Sequence, residues 1–179
     1  MTEISTSKLN LESIPIGIDL GTTMSCVCAF INNNVEICLN NDNKELTPSY
    51  IKINENIIIG DKAKNNIDKN TFYNIKRFIG KYFDNQELQN DLKFCLFDYE
   101  NINNELRLIN VVNDKKYSYE PEEILSLFLK KIKEETEKYL NKNIKDCVIT
   151  IPAYFNNTQR EITKRAGENA GFNILQIIN

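Results

Sequence analysis

Apolar residues gather in three short runs near the start of the chain, at residues 14–19, 25–30 and 35–39, each the length of a strand. Within the second run Cys26 and Cys28 share one face by the two-residue period, and Val27 and Ala29 share the other. Both faces read as apolar, which suits a strand inside a covered sheet. The polar stretch Asn32-Asn33-Asn34 between the second and third runs reads as a hairpin turn. From Leu46 to about Tyr119 the pattern is polar and broken, with short strands expected at residues 51–53 and 57–59; this stretch reads as an insertion with a small core of its own. A clean helical pattern follows. Pro121 opens it, Glu122 and Glu123 sit at its positive end, and Ile124, Leu125, Phe128, Ile132 and Tyr139 recur at helical spacing as far as Leu140. Residues 147–151 form another strand, stopped by Pro152. A second helix is expected over residues 158–170, with Asn157 as N-cap and Gly171 as its stop, before a last strand at 174–178. Strands, insertion, helix, strand, helix, strand predict an α/β layer with helices packed on a mixed sheet.

Composition narrows the classes. At 179 residues the chain suits one substantial domain or two small subdomains sharing a core. A net charge of −3 provides no basic field to attract nucleic acid or a membrane surface, and no apolar run approaches the roughly 20 residues that cross a bilayer. The cysteines Cys26, Cys28, Cys38, Cys95 and Cys147 form no CxxC pair, and the absence of His excludes a Cys/His zinc site. They read as buried, reduced thiols. The polar tail, residues 1–13, has neither a secretory apolar core nor a transit peptide's character, so a cytosolic or nuclear compartment is expected. The 27 asparagines read as loop filler from a compositional bias.

The chemistry concentrates at Ile16-Gly17-Ile18-Asp19-Leu20-Gly21-Thr22-Thr23. An apolar strand ends in a carboxylate, a glycine and two hydroxyls. Gly21 permits φ > 0, so the strand can turn sharply there, and it offers no Cβ to obstruct a ligand. The amides of Gly21, Thr22 and Thr23 can then form an anion-binding nest. Asp19 would repel a phosphate unless a hydrated Mg²⁺ lay between them, and Mg²⁺ often uses one or two carboxylates and keeps its waters. The stretch reads as half of a Mg-nucleoside triphosphate site, or else as an Asx-type turn between two strands. Lys76 and Arg77 lie on a short helical segment ended by Gly80, and Pro152 breaks a strand where Tyr154 and Arg160 can reach one site. Either feature is otherwise ordinary: a solvated charge pair, and a strand-to-helix connection.

These stretches, with Thr47-Pro48-Ser49-Tyr50, Gly60-Asp61-Lys62-Ala63-Lys64-Asn65 and Ala170-Gly171-Phe172-Asn173-Ile174-Leu175, resemble in order and spacing the seventy-kilodalton heat-shock chaperone family, the DnaK type, from Ile16 to Asn179. The resemblance implies the ribonuclease-H-like actin/heat-shock ATPase fold, first lobe only: a mixed five-stranded sheet with helices, built from residues 14–47 and 121–179, and a smaller α+β subdomain inserted over residues 48–120. It implies ATP or ADP with Mg²⁺ as ligands. Asp19 would hold the metal through water, Gly21, Thr22, Thr23 and Met24 would surround the phosphates, and Lys76 would position the attacking water and stabilise charge on the γ-phosphoryl. Pro152 and Arg160 resemble the family's proline switch, which couples nucleotide state to peptide binding. Arg77 and Tyr154 would be structural support near the site.

Implied partners of the whole protein are a J-domain co-chaperone, a nucleotide exchange factor and client polypeptides. Met24 stands where the family usually has Tyr, and Asn157 where Asp is usual. The family continues beyond the position of Asn179 with a Glu of its hydrolytic machinery, a second phosphate loop, a second lobe and a peptide-binding domain. These 179 residues alone are therefore expected to lack efficient hydrolysis and to be prone to association. A non-hydrolytic nucleotide-binding or co-chaperone-docking member is the alternative. A sugar kinase or actin-like filament protein would share the Asp19 motif but leave the Pro152–Arg160 stretch unexplained.

Overall fold

The computed structural model describes residues 14–179; the tail of residues 1–13, expected to be flexible, lies outside the described residues. The opening apolar runs form β1 (Ile16–Asp19), β2 (Met24–Ile31) and β3 (Asn34–Ile37), followed by the short β4 (Leu46–Pro48). The broken middle of the chain contains β5 (Tyr50–Ile53), β6 (Ile57–Ile59), α1 (Asp61–Lys64), β7 (Thr71–Tyr73), a 3₁₀ turn (Ile75–Arg77), α2 (Gln86–Leu92), β8 (Asp98–Ile102), β9 (Glu105–Val112) and β10 (Lys115–Tyr119). Then come α3 (Pro121–Leu140), β11 (Asp146–Thr150), α4 (Asn157–Asn169) and β12 (Asn173–Ile178).

The main sheet has the order β12-β11-β1-β2-β3, and β4 pairs with β2 as well. The expected five-stranded path is present with a sixth, short strand added. β1, β11 and β12 run parallel, while β2 is antiparallel to β1, β3 and β4. β3 and β4 divide one edge of β2, with β4 against its first residues and β3 against its last. Along β2, Ser25, Val27 and Ala29 are buried, but Cys26 and Cys28 are half-covered, so one face is closed rather than two. β3 is exposed along its whole length. All five cysteines are free; Cys38 and Cys147 are buried, whereas Cys26, Cys28 and Cys95 are half-buried. Burial pushes the Cys38 thiol up to about 11, and those of Cys95 and Cys147 up to about 12.

The middle of the chain forms two further sheets, β6-β5-β7 and β10-β9-β8. Its aromatic centre, Phe72, Tyr73 and Phe78 around Phe97 at ring distances of 5.3, 5.5 and 6.1 Å, does not stand apart. It belongs to the same buried cluster as β1, β11 and α3, because α3 touches both the main sheet's core and the inserted elements. The expected separate core is thus a shared one.

Asparagine has a conformational reason at the hairpins. Asn32-Asn33, Asn103-Asn104 and Asn113-Asp114 each join two paired strands, with φ of 50° and 64°, 54° and 67°, and 50° and 60°. Two consecutive positive φ values give the type I′ turn, whose twist matches the flanking strands, and Asn tolerates that region better than most side chains. Filler alone does not account for this placement.

α3 begins as expected at Pro121, with Glu120 and Glu123 forming a capping box. Its buried stripe is Ile124, Leu125, Phe128, Leu129, Ile132 and Thr136; Tyr139, expected on it, is 45% exposed. α4 is capped by Asn156, not Asn157: the Asn156 side chain accepts from the Gln159 N–H, and Gln159 Oε1 accepts from the Asn156 N–H. The spacing Asn-x-x-Gln is the signal that locates this cap. At the other end Gly171 has φ 88°. Its N–H donates to Glu168 O and that of Phe172 to Gly167 O, the paired bonds that close a helix with a left-handed residue. α4 lies so close to β12 that a Cβ on Gly167 would meet Ile174 Cδ1 at 2.6 Å.

Candidate functional site

The parallel strands β1 and β11 end side by side, and their last residues, Asp19 and Thr150, are register partners. Thr150 Oγ1 donates to Asp19 Oδ1 at 2.6 Å, which orients the exposed carboxylate. Carboxyl ends of strands in open α/β sheets are a common place for ligands, since loops there can surround a crevice. The chain then passes through buried Leu20 into the turn Gly21-Thr22-Thr23 and returns as β2.

Gly21 does not use the positive φ that glycine permits; among the glycines that value belongs to Gly60, Gly80 and Gly171. The requirement is spatial. A Cβ at Gly21 would lie 1.9 Å from the carbonyl oxygen of Met24, so no side chain fits inside the turn. The N–H groups of Gly21, Thr22 and Thr23 donate to no acceptor among the described residues. Ser49 closes the turn from β4's side: its N–H donates to Thr23 O and its hydroxyl to Gly21 O, both at 2.9 Å.

Lys76 comes from the inserted elements. Asn74, with φ 58°, turns the chain into the 3₁₀ turn and drives the next side chains inward. Lys76 is 5% exposed, its Nζ donates to the carbonyl of Leu20, and it lies 5.3 Å from the centre of the Phe155 ring. No carboxylate forms an ion pair with it among the described residues. Burial lowers its pKa to about 8, against the opposing influence of the Asp19 charge. Thr22, Lys76, Arg77, Tyr154 and Phe155 border an open cleft of about 980 Å³.

The family described as Hsp70 protein matches residues 15–179. Heat shock cognate 70 kDa protein 3 of Dictyostelium discoideum is 44% identical over 170 residues, which are 92% of this chain and 27% of that protein. The chain belongs to the Hsp70 family. It corresponds to the N-terminal ATPase region of that family and has the mixed α/β architecture of a partial lobe of the actin/Hsp70 ATPase fold. It spans about a quarter of the length of the relative it matches.

Within this Hsp70 segment the residues singled out from the sequence fall into two groups. Asp19, Gly21, Thr22 and Lys76 converge on one turn. Thr23 is exposed, and Met24 is half-buried at the start of β2 opposite Pro48. Arg77 points elsewhere and pairs with Asp91 at 3.1 Å. Tyr154 is 80% exposed at the cleft. Arg160 does not join it: its guanidinium donates to Asn179 Oδ1 at 2.6 Å, beyond the end of β12. Pro152 is half-buried, and its carbonyl accepts from the Phe155 N–H at 3.1 Å. Asn157 is the first residue of α4, so its departure from Asp removes a charge near the helix N-terminus rather than a cap. Sequence reasoning missed Thr150, Phe155 and Ser49 as neighbours of the site. Thr150 reveals itself only when β1 and β11 are aligned in register, which no local pattern shows.

Proposed function

We propose that this segment supplies the phosphate and metal side of a Mg-ATP site in an Hsp70-type chaperone ATPase. The observation that carries the reading is Lys76, a buried ammonium with a backbone carbonyl and an aromatic ring for company and, among the described residues, no carboxylate paired to it. A buried, unpaired cation is costly to the fold, and an anionic ligand at the adjoining turn offsets that cost. Asp19 fits magnesium in the family's manner: a single hard oxygen donor, held at one oxygen by Thr150. The turn fits phosphate through the Thr22 N–H, which has no acceptor among the described residues and belongs to a residue bordering the cleft. When bound, the metal neutralises charge on phosphate oxygens. Thr22 and Thr23 bind and orient those oxygens, and Lys76 positions the water and stabilises charge on the transferred group. Met24, in place of the usual Tyr, removes an aromatic hydroxyl from the phosphate side.

For the whole protein we propose ATP-driven cycles of client binding and release, with J-domain and exchange-factor partners, in the cytosol or nucleus. Residues 14–47 and 121–179 serve as the base of the lobe and 48–120 as its inserted subdomain. Pro152 and Arg160 couple nucleotide state to the peptide-binding part, a role compatible with Arg160's bond to Asn179 at the end of the sheet. In a chain spanning both lobes, Lys76→Ala is expected to abolish ATP turnover while leaving ATP binding in place. Turnover that survives the substitution, or a wild type that binds ATP without hydrolysing it, rejects the enzymatic reading; the second result favours a nucleotide-binding or docking protein.

A further inference from the structure

Ser49, between β4 and β5, makes three polar contacts around the turn that joins β1 to β2. Its N–H donates to Thr23 O at 2.9 Å, its hydroxyl donates to Gly21 O at 2.9 Å, and the same hydroxyl lies 3.0 Å from Ser25 Oγ. A serine hydroxyl has one proton, and that of Ser49 goes to Gly21, so Ser25 is the donor in the third contact. Ser25 is 1% exposed. The two hydroxyls form a short chain, Ser25 to Ser49 to the Gly21 carbonyl, in which each bond polarises the next.

The consequence follows from peptide geometry. The peptide group is planar and trans, so the carbonyl of one residue and the N–H of the next point in opposite directions. With the carbonyls of Gly21 and Thr23 both drawn toward Ser49, the N–H groups of Thr22 and Met24 are turned away from it. The Thr22 N–H has no acceptor among the described residues, and Thr22 borders the cleft together with Lys76. A short turn with no side chain inside it, at Gly21, has little else to fix its peptide planes.

We propose that Ser49 is a positioning residue for this turn: it holds two peptide planes so that their N–H groups are presented to phosphate oxygens. Ser25 acts behind it by orienting the Ser49 hydroxyl. The inference rests on the nucleotide reading above and adds to it a residue that touches no ligand.

The test uses the full-length protein with Ser49→Ala, which deletes the hydroxyl and keeps the N–H, and Ser49→Thr, which keeps both. Without ligand, the backbone order parameter of the Thr22 N–H, whose peptide plane the hydroxyl holds, is expected to fall in Ser49→Ala from about 0.85 to below about 0.6 and to recover in Ser49→Thr, while that of Met24, whose plane the retained Ser49 N–H holds, stays near 0.85. Titration calorimetry is expected to show ADP bound about tenfold more weakly by Ser49→Ala and adenosine bound as in the wild type, the loss of roughly one oriented hydrogen bond. An unchanged Thr22 order parameter overturns the proposal. So does an equal loss of ADP and adenosine affinity, which would mean general damage. A wild type that binds neither compound removes the nucleotide reading and the positioning role with it, while the order parameters still decide whether Ser49 holds the turn.

Discussion

Lys76 brings the conflict between stability and function down to a single side chain. Its pKa is lowered to about 8 by burial, with Asp19 opposing the shift, whereas an unfolded chain would release that proton near 10.5. Between those two values the unfolded state holds more protons, so stability rises with pH across the window. At neutral pH the buried charge costs about 3 kcal/mol. Lys76→Met is therefore expected to raise the urea midpoint at pH 7 and to abolish the lysine's share of the rise between pH 8 and 10.5. A variant less stable than the wild type at pH 7, with the same pH slope, contradicts this account. Read from the residues alone, Lys76 and Arg77 are an adjacent pair of cations, and only the family resemblance separated them. The fold buries one and leaves the other exposed against Asp91, because the 3₁₀ turn, at about three residues per turn, faces Ile75, Lys76 and Phe78 inward and Arg77 outward.

Elements were legible where their signals are local. α3 starts and stops where Pro121 and the helical period place it, and the end of α4 at Gly171 was readable from the glycine. Boundaries set by side-chain reciprocity were not: Asn156 and Asn157 look equivalent in sequence, and the choice depends on which can trade bonds with Gln159. The hairpins were read correctly as turns at Asn32-Asn33 but without their geometry. Because both residues have positive φ, Asn33→Val is expected to destabilise the protein by about 1–2 kcal/mol, and Asn33→Gly to be tolerated. Equal urea midpoints for the valine and glycine variants would contradict the left-handed assignment. β3 was read as an apolar strand, yet it is exposed throughout, because nothing among the described residues covers it beyond β2's edge.

At the scale of the whole molecule, the fold joins two regions that the sequence pattern suggested were separate. α3 packs on the main sheet and on the inserted strands, so Lys76 from the insertion reaches the turn after β1 across one continuous core. That convergence was not readable from spacing; it entered through the family resemblance, and the geometry supplies its physical basis. The same layout leaves Phe30, Val35, Ile37 and Leu46 52%, 69%, 42% and 49% exposed around an edge strand. Edge strands with exposed apolar side chains invite pairing with other chains. The 179-residue polypeptide is expected to self-associate in sedimentation experiments, and Val35→Lys to reduce that association; a monomeric wild type would remove this expectation. The central claim is that the turn between β1 and β2 and the buried lysine together receive the phosphates of a nucleotide. Its most direct test is a titration of the isotope-labelled full-length protein with Mg-ADP, following the amide signals of Gly21, Thr22 and Thr23 and the ammonium signal of Lys76. The account predicts that all four shift and saturate together. Saturable binding that leaves these four signals unmoved would contradict it.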